Sequence, residues 1–102
     1  MDIGLSDAFG GTPARDAGYI QEYAARAEAV GFDSIWMPDH MLHDAFQQQA
    51  LYGAWDCWSL VSSLAAVTTR IEIGTLVACT SFRNPAMTAK MADTVEEISG
   101  GR

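Results

Sequence analysis

Apolar positions along this chain fall into two alternating rhythms, short continuous runs and stripes at helical spacing. Ile3-Gly4-Leu5-Ser6 reads as a short strand, and Phe9-Gly10-Gly11 as the turn that follows it. Thr12-Pro13 has the form of a helix start, since threonine accepts from free backbone N–H groups and proline suits the first helical position. Ile20, Tyr23, Ala24 and Ala27 stand at i, i+3, i+4 and i+7, one face of a helix, and Gly31 sits where a left-handed residue closes it. Residues 32–37 form a second strand, ended by Pro38. From 40 to 55 the periodicity weakens, which predicts a long excursion with room for a short helix. Asp56 caps a second helix with Leu60, Val61, Leu64, Ala65 and Val67 on its apolar face and Arg70 near its end. Residues 71–80 are predicted as a third strand, marked by Ile71, Ile73, Leu76 and Val77. Asn84-Pro85 repeats the cap-and-proline start, Met87, Met91, Val95 and Ile98 line a third helix, and Gly100-Gly101 ends it.

The order βαβαβα implies parallel strands joined by right-handed crossovers. No linker or low-complexity stretch divides the chain, so residues 1–102 form one unit. Three units in 102 residues give 102/3 = 34 residues each. A (β/α)8 barrel of about 250 residues has about 31 per unit. The fold class predicted is therefore α/β, the first three βα units of a TIM barrel. A three-stranded parallel piece leaves two open edges, so the expectation is an N-terminal portion of a longer domain, inactive by itself.

Composition narrows the function. Hydrophobic residues make up 49% and charged residues 19%, which is globular composition. Six basic residues against thirteen acidic ones give a net charge of −7, the wrong sign for a phosphate-binding surface, so neither nucleic acid nor an anionic membrane is expected as a partner. Cys57 and Cys79 form no paired motif and no zinc spacing, which suits a reducing compartment. The chain opens without a basic and apolar leader and holds no apolar run of membrane-spanning length, so a cytoplasmic location is expected.

Ligands of parallel α/β folds bind at the carboxyl ends of the strands, so chemistry is sought there. Those ends offer Asp7, Ala8 and Phe9, then Pro38, Asp39 and His40, then Cys79, Thr80 and Ser81. Asp39-His40 is the sharpest feature. A histidine there can protonate or stabilise a reacting oxygen, and the carboxylate can orient the ring or bind a polar cofactor edge. The structural alternative is a capping aspartate beside a satisfied histidine. His43 adds a third group, but Asp39, His40 and His43 lack a placed metal-ligand set, so no metal is expected. Trp36 and Trp58 read as core, while Trp55 lies near the mouth of the site and can stack on a ring. Cys79 reads as a cofactor contact or a small buried residue, not a nucleophile. Arg83, just before a helix start, reads as an anion binder or as the partner of a nearby acid. Glu96 and Glu97 read as a solvated face, and no glycine-rich phosphate motif is present.

Four segments, taken in order, resemble the luciferase-like monooxygenase superfamily. These are Ala29-Val30-Gly31-Phe32-Asp33-Ser34-Ile35-Trp36-Met37-Pro38-Asp39-His40, Thr69-Arg70-Ile71-Glu72-Ile73-Gly74-Thr75-Leu76-Val77, Phe82-Arg83-Asn84-Pro85-Ala86, and the run from Lys90 to the closing Ser99-Gly100-Gly101-Arg102. Within it the chain looks most like the branch that uses coenzyme F420, a deazaflavin hydride carrier. The resemblance implies an oxidoreductase that passes hydride between F420 and a small organic substrate, working as a homodimer when complete. It also implies that Asp39 contacts the cofactor and that His40 lies by the reacting centre as acid or stabiliser. Members often carry a non-proline cis peptide in the third strand, against the deazaflavin ring, and Leu76-Val77 is the matching step. Cys79 falls where the branch places a cofactor-contacting residue, often threonine. The alternatives are a monooxygenase using reduced FMN and oxygen, a non-catalytic remnant, and a metal hydrolase built on Asp39, His40 and His43.

Overall fold

The structure is a computed structural model, and it describes residues 2–4, 16–44 and 51–102. Strand β1 (Asp2–Gly4) is followed by helix α1 (Ala17–Ala29) and strand β2 (Ser34–Met37). Then come β3 (Leu42–Asp44), β4 (Leu51–Gly53), helix α2 (Cys57–Val67), β5 (Glu72–Thr75) and helix α3 (Pro85–Ser99). Strands β1, β2 and β5 form one parallel sheet in that order, with Ile3 beside Ile35 and Ile35 beside Ile73. Consecutive parallel strands lying side by side, each followed by a helix, are the repeating βα unit of a (β/α)8 barrel.

Helix starts follow the side-chain chemistry of their caps. Asp56 accepts from the Ser59 N–H, and Asn84 accepts from the Ala86 N–H with Pro85 in the first turn, as the sequence predicts. For α1 the start is corrected: Asp16 is the cap and accepts from the Tyr19 N–H, while Thr12 and Pro13 lie outside the described residues. The excursion carries a strand pair that the sequence did not predict. Its described residues include β3 and β4, an antiparallel pair with His43 opposite Tyr52, extended by the Ala54 N–H donating to the Met41 carbonyl, while residues 45–50, where a short helix had room, lie outside the described residues. Three-residue strands are too short to leave a readable period. Strand β5 ends at Thr75, five residues before its expected limit, and the chain turns at Leu76 and Val77.

One apolar cluster lies between sheet and helices. Ile20, Ala24 and Ala27 from α1 meet Ile35, Met37 and Ile71, and Leu60, Val61, Leu64 and Ala65 from α2 close over them. Because side chains alternate across a strand, Ile35 and Met37 face the helices while Ser34 and Trp36 face the other side. Helix α2 sits between α1 and α3. Val67, Met87 and Ile98, expected on buried faces, are exposed, whereas Val95 is buried as expected and α3 buries Ser99 beside it. Two charged side chains tie the helix layer to the sheet. Glu28 accepts from the backbone N–H groups of Thr69, Arg70 and Ile71, the segment that feeds β5. Arg102 donates to the carbonyls of Ala65, Thr68, Ile71 and Ser99 and to the Thr68 hydroxyl, satisfying carbonyls at the end of α2. None of the described helices is long and apolar enough to cross a membrane.

Candidate functional site

The carboxyl ends of β2 and β5 are adjacent, and the sequence-predicted residues sit on the segments that leave them. Pairing continues one step past β5: the Leu76 N–H donates to the Met37 carbonyl at 2.8 Å. The next peptide bond, Leu76-Val77, is cis. Leu76 and Val77 are 59% and 67% exposed, so this step presents apolar surface at the strand ends. Leu42 at the start of β3, with Met41 and Trp55 flanking the β3–β4 pair, adds further exposed apolar groups.

Asp39, two residues past β2, is buried. Its Oδ2 accepts from the Cys79 backbone N–H at 3.0 Å and from Arg83 Nη1 at 2.6 Å, and its Oδ1 accepts from Arg83 Nη2 at 2.9 Å. The same Nη2 donates to Asp56 Oδ1 at 2.6 Å. Asp56 thus serves α2 and Arg83 together, since its Oδ2 accepts from the Ser59 N–H and hydroxyl. Burial acts to raise the Asp56 carboxyl, but the bonds from Arg83 and Ser59 outweigh it and hold it below the usual carboxylate value. The Arg83 guanidinium is held still more firmly protonated than usual, chiefly by its bonds to Asp39, which outweigh its own desolvation.

His40, next in sequence to the buried Asp39, is exposed, and Cys79 is partly buried. Cys57, at the start of α2, is buried and points its thiol at the Met37 carbonyl, 3.7 Å away. Burial, with the charges of Asp39 and Asp56, pushes that thiol up to about 12, so it stays a neutral thiol. The side chain of His43 lies outside the described residues. Among the described residues no three His, Cys, Asp or Glu side chains gather where a metal could be held. A surface groove of about 480 Å³ runs along α1, lined by Tyr19, Tyr23, Arg26, Val30 and Phe32 among others, and none of its described lining residues comes from the segments after β2 or β5.

The structure brings Asp39 and Cys79, expected at strand ends, together with the Leu76-Val77 step, which the family resemblance implied and the sequence reading placed inside the third strand. The sequence reading of Arg83 as the partner of an acid also holds, but the acid is Asp39, forty-four positions away. The role of Asp56 as a bridge was missed. The signal was present, because Asp56 and Arg83 both stand at helix starts that the topology brings to one end of the sheet.

The family model described as luciferase-like monooxygenase matches residues 1–102. The chain is 39% identical over 84 residues to an F420-dependent glucose-6-phosphate dehydrogenase of Amycolatopsis mediterranei (strain U-32), covering 81% of this chain and 24% of that protein. It is 39% identical over 83 residues to a 5,10-methylenetetrahydromethanopterin reductase of Methanolobus tindarius, covering 81% and 22%. A more distant relative, 34% identical over 82 residues, is the pyrimidine monooxygenase RutA of Rhizobium rhizogenes (strain K84 / ATCC BAA-868), with 80% and 22% covered. Among solved structures, an F420-dependent secondary alcohol dehydrogenase in complex with an F420-acetone adduct superposes with a TM-score of 0.70 at 29% identity, over 86% of this chain and 26% of that one. The chain therefore spans about a quarter of the length of the relatives it matches.

Proposed function

The chain belongs to the luciferase-like monooxygenase family, and from that premise we propose that it supplies part of the cofactor site of an F420-dependent oxidoreductase acting on a small organic substrate. The observation that carries this reading is the grouping, at the ends of β2 and β5, of an exposed apolar step with a buried, oriented carboxylate. A deazaflavin ring is flat and apolar on its faces and polar along one edge. Leu76 and Val77 offer a face to it. Asp39 offers an edge: of about four acceptor positions on a carboxylate, three are taken by Cys79 and Arg83, which leaves one on Oδ1. These residues fit the group.

Bound F420 supplies the carbon that takes up or releases hydride. The residues of this chain position and polarise. Leu76 and Val77 support the ring face and keep water from it, while Asp39 fixes the ring edge through its remaining acceptor position. Cys79 meets the ring through its thiol or carbonyl, since its N–H is given to Asp39. His40 holds a proton at the substrate oxygen whose carbon exchanges hydride, donating it as the oxygen becomes a hydroxyl and accepting it in reverse. The F420-dependent names among the relatives, and the F420-acetone adduct of the structural neighbour, support the choice of cofactor. The full protein is expected to be a homodimer in the cytoplasm.

The test is a fluorescence titration of the protein expressed from its complete reading frame, with F420 and with FMN as separate probes. Saturable binding of F420 in preference to FMN is the expected result. Preference for FMN would replace this reading with the monooxygenase reading, which the similarity to RutA favours.

A further inference from the structure

Resting on the F420 reading, we propose that Arg83 is a positioning residue of the cofactor site, one that sets the direction of the Asp39 carboxylate and, through it, the Cys79 main chain. The side chain of Asp39 is 2% exposed and that of Arg83 17%. A carboxylate this deep needs a charged partner and filled acceptor positions, and Arg83 provides both with two parallel N–H···O bonds of 2.6 and 2.9 Å. A fork of this kind fixes the carboxylate plane as well as its position. With Oδ2 taken by Arg83 and Cys79, the acceptor position left to a ligand is on Oδ1, and Arg83 decides where it points.

The guanidinium is itself anchored from outside the site. Asp56, the cap of α2, holds Nη2 at 2.6 Å. Three elements therefore converge on one cation: the end of β2 through Asp39, the start of α2 through Asp56, and the β5–α3 segment that carries both Arg83 and Cys79. This arrangement predicts an asymmetry. Losing the fork to Asp39 disturbs the site, whereas losing the Asp56 contact leaves the fork intact, because Nη1 and Nη2 still face Asp39. A purely structural role predicts no such asymmetry, since both losses would weaken binding only as far as they loosen the fold.

The test uses Arg83→Lys and Asp56→Asn in the protein expressed from its complete reading frame. F420 titrations are made at a temperature where circular dichroism shows every variant folded, and backbone hydrogen exchange at Cys79 is followed without cofactor. Lysine keeps the charge but loses the fork, so Arg83→Lys is expected to raise the F420 dissociation constant about tenfold or more and to speed Cys79 exchange. Asp56→Asn is expected to leave both near their wild-type values. Wild-type F420 affinity in Arg83→Lys overturns the inference, as does weakening by the two variants in proportion to their losses in Tm. Should Arg83→Lys fail to fold, the same two readings are taken on Asp39→Asn, which keeps the side-chain shape and loosens the fork from its other end. Slow exchange and unchanged binding there overturn the inference as well. A protein that, expressed from its complete reading frame, binds no F420 overturns the functional reading and this inference together, whereas F420 binding that is indifferent to Arg83 overturns this inference alone.

Discussion

The indole of Trp36 occupies the space that a side chain on Gly74 would fill. A Cβ built on Gly74 would stand 2.4 Å from the Trp36 ring, and the two residues are register partners on adjacent strands. The absence of a Cβ lets the ring cross β5, while its Nε1 donates to the Ser34 hydroxyl at 2.7 Å. Gly74→Ala is therefore expected to destabilise the fold by about 1–3 kcal/mol through overpacking. Urea denaturation measures this, and the loss should shrink in Gly74→Ala combined with Trp36→Val. An unchanged denaturation midpoint in the single variant would contradict the packing described.

Glu28 makes stability depend on pH at the acid end. Burial acts to raise its carboxyl, but the N–H groups of Ile71, Arg70 and Thr69 outweigh this and hold it below the ordinary value of 4.5. A carboxyl lower in the folded than in the unfolded state binds fewer protons when folded. Its contribution is complete above about 4.5 and is lost as pH falls through the lower folded value. Glu28→Gln should cost about 1 kcal/mol at pH 7, a figure reduced for solvent exposure, and should flatten stability against pH below that point. Thermal melts from pH 3 to about 7 check both. A variant with an unaltered acid limb would rule out this role for Glu28.

The two cysteines should react differently. The Cys57 thiol, pushed up to about 12 and buried at 1% exposure, is expected to resist iodoacetamide at pH 8 until denaturant is added. Cys79, partly exposed, should be labelled first. Peptide mass mapping over time reads the order, and equal labelling rates in the folded protein would be inconsistent with the packing of α2 on Met37.

For His40, the expectation concerns rate more than binding. If the proposed function holds, His40→Ala in the protein expressed from its complete reading frame lowers kcat by about a hundredfold or more, as loss of a proton-transferring group does. The F420 dissociation constant should change far less. Steady-state kinetics beside a fluorescence titration separate the two, and unaltered turnover would remove His40 from the chemistry.

Local signals in the sequence were enough for the βαβαβα order, because each element declares itself through its own residues. Ile20, Ala24 and Ala27 recur at helical spacing, Asp56 and Asn84 cap, and Gly31 takes a φ of 96° after α1. The strand-end rule also made Asp39, His40 and Cys79 legible as candidate site residues, while Leu76 and Val77 entered only through the family resemblance. Other features needed the third dimension. The β3–β4 pair, the early end of β5 and the exposure of Val67, Met87 and Ile98 depend on which neighbours arrive, and short runs carry no periodicity to announce them. The bonds from Arg83 to Asp39 and Asp56, and the grip of Glu28 on residues 69–71, join groups far apart along the chain. A charged residue in a sequence shows that it needs a partner, but only the folded arrangement of strand ends and helix starts decides which one is near enough to desolvate with it.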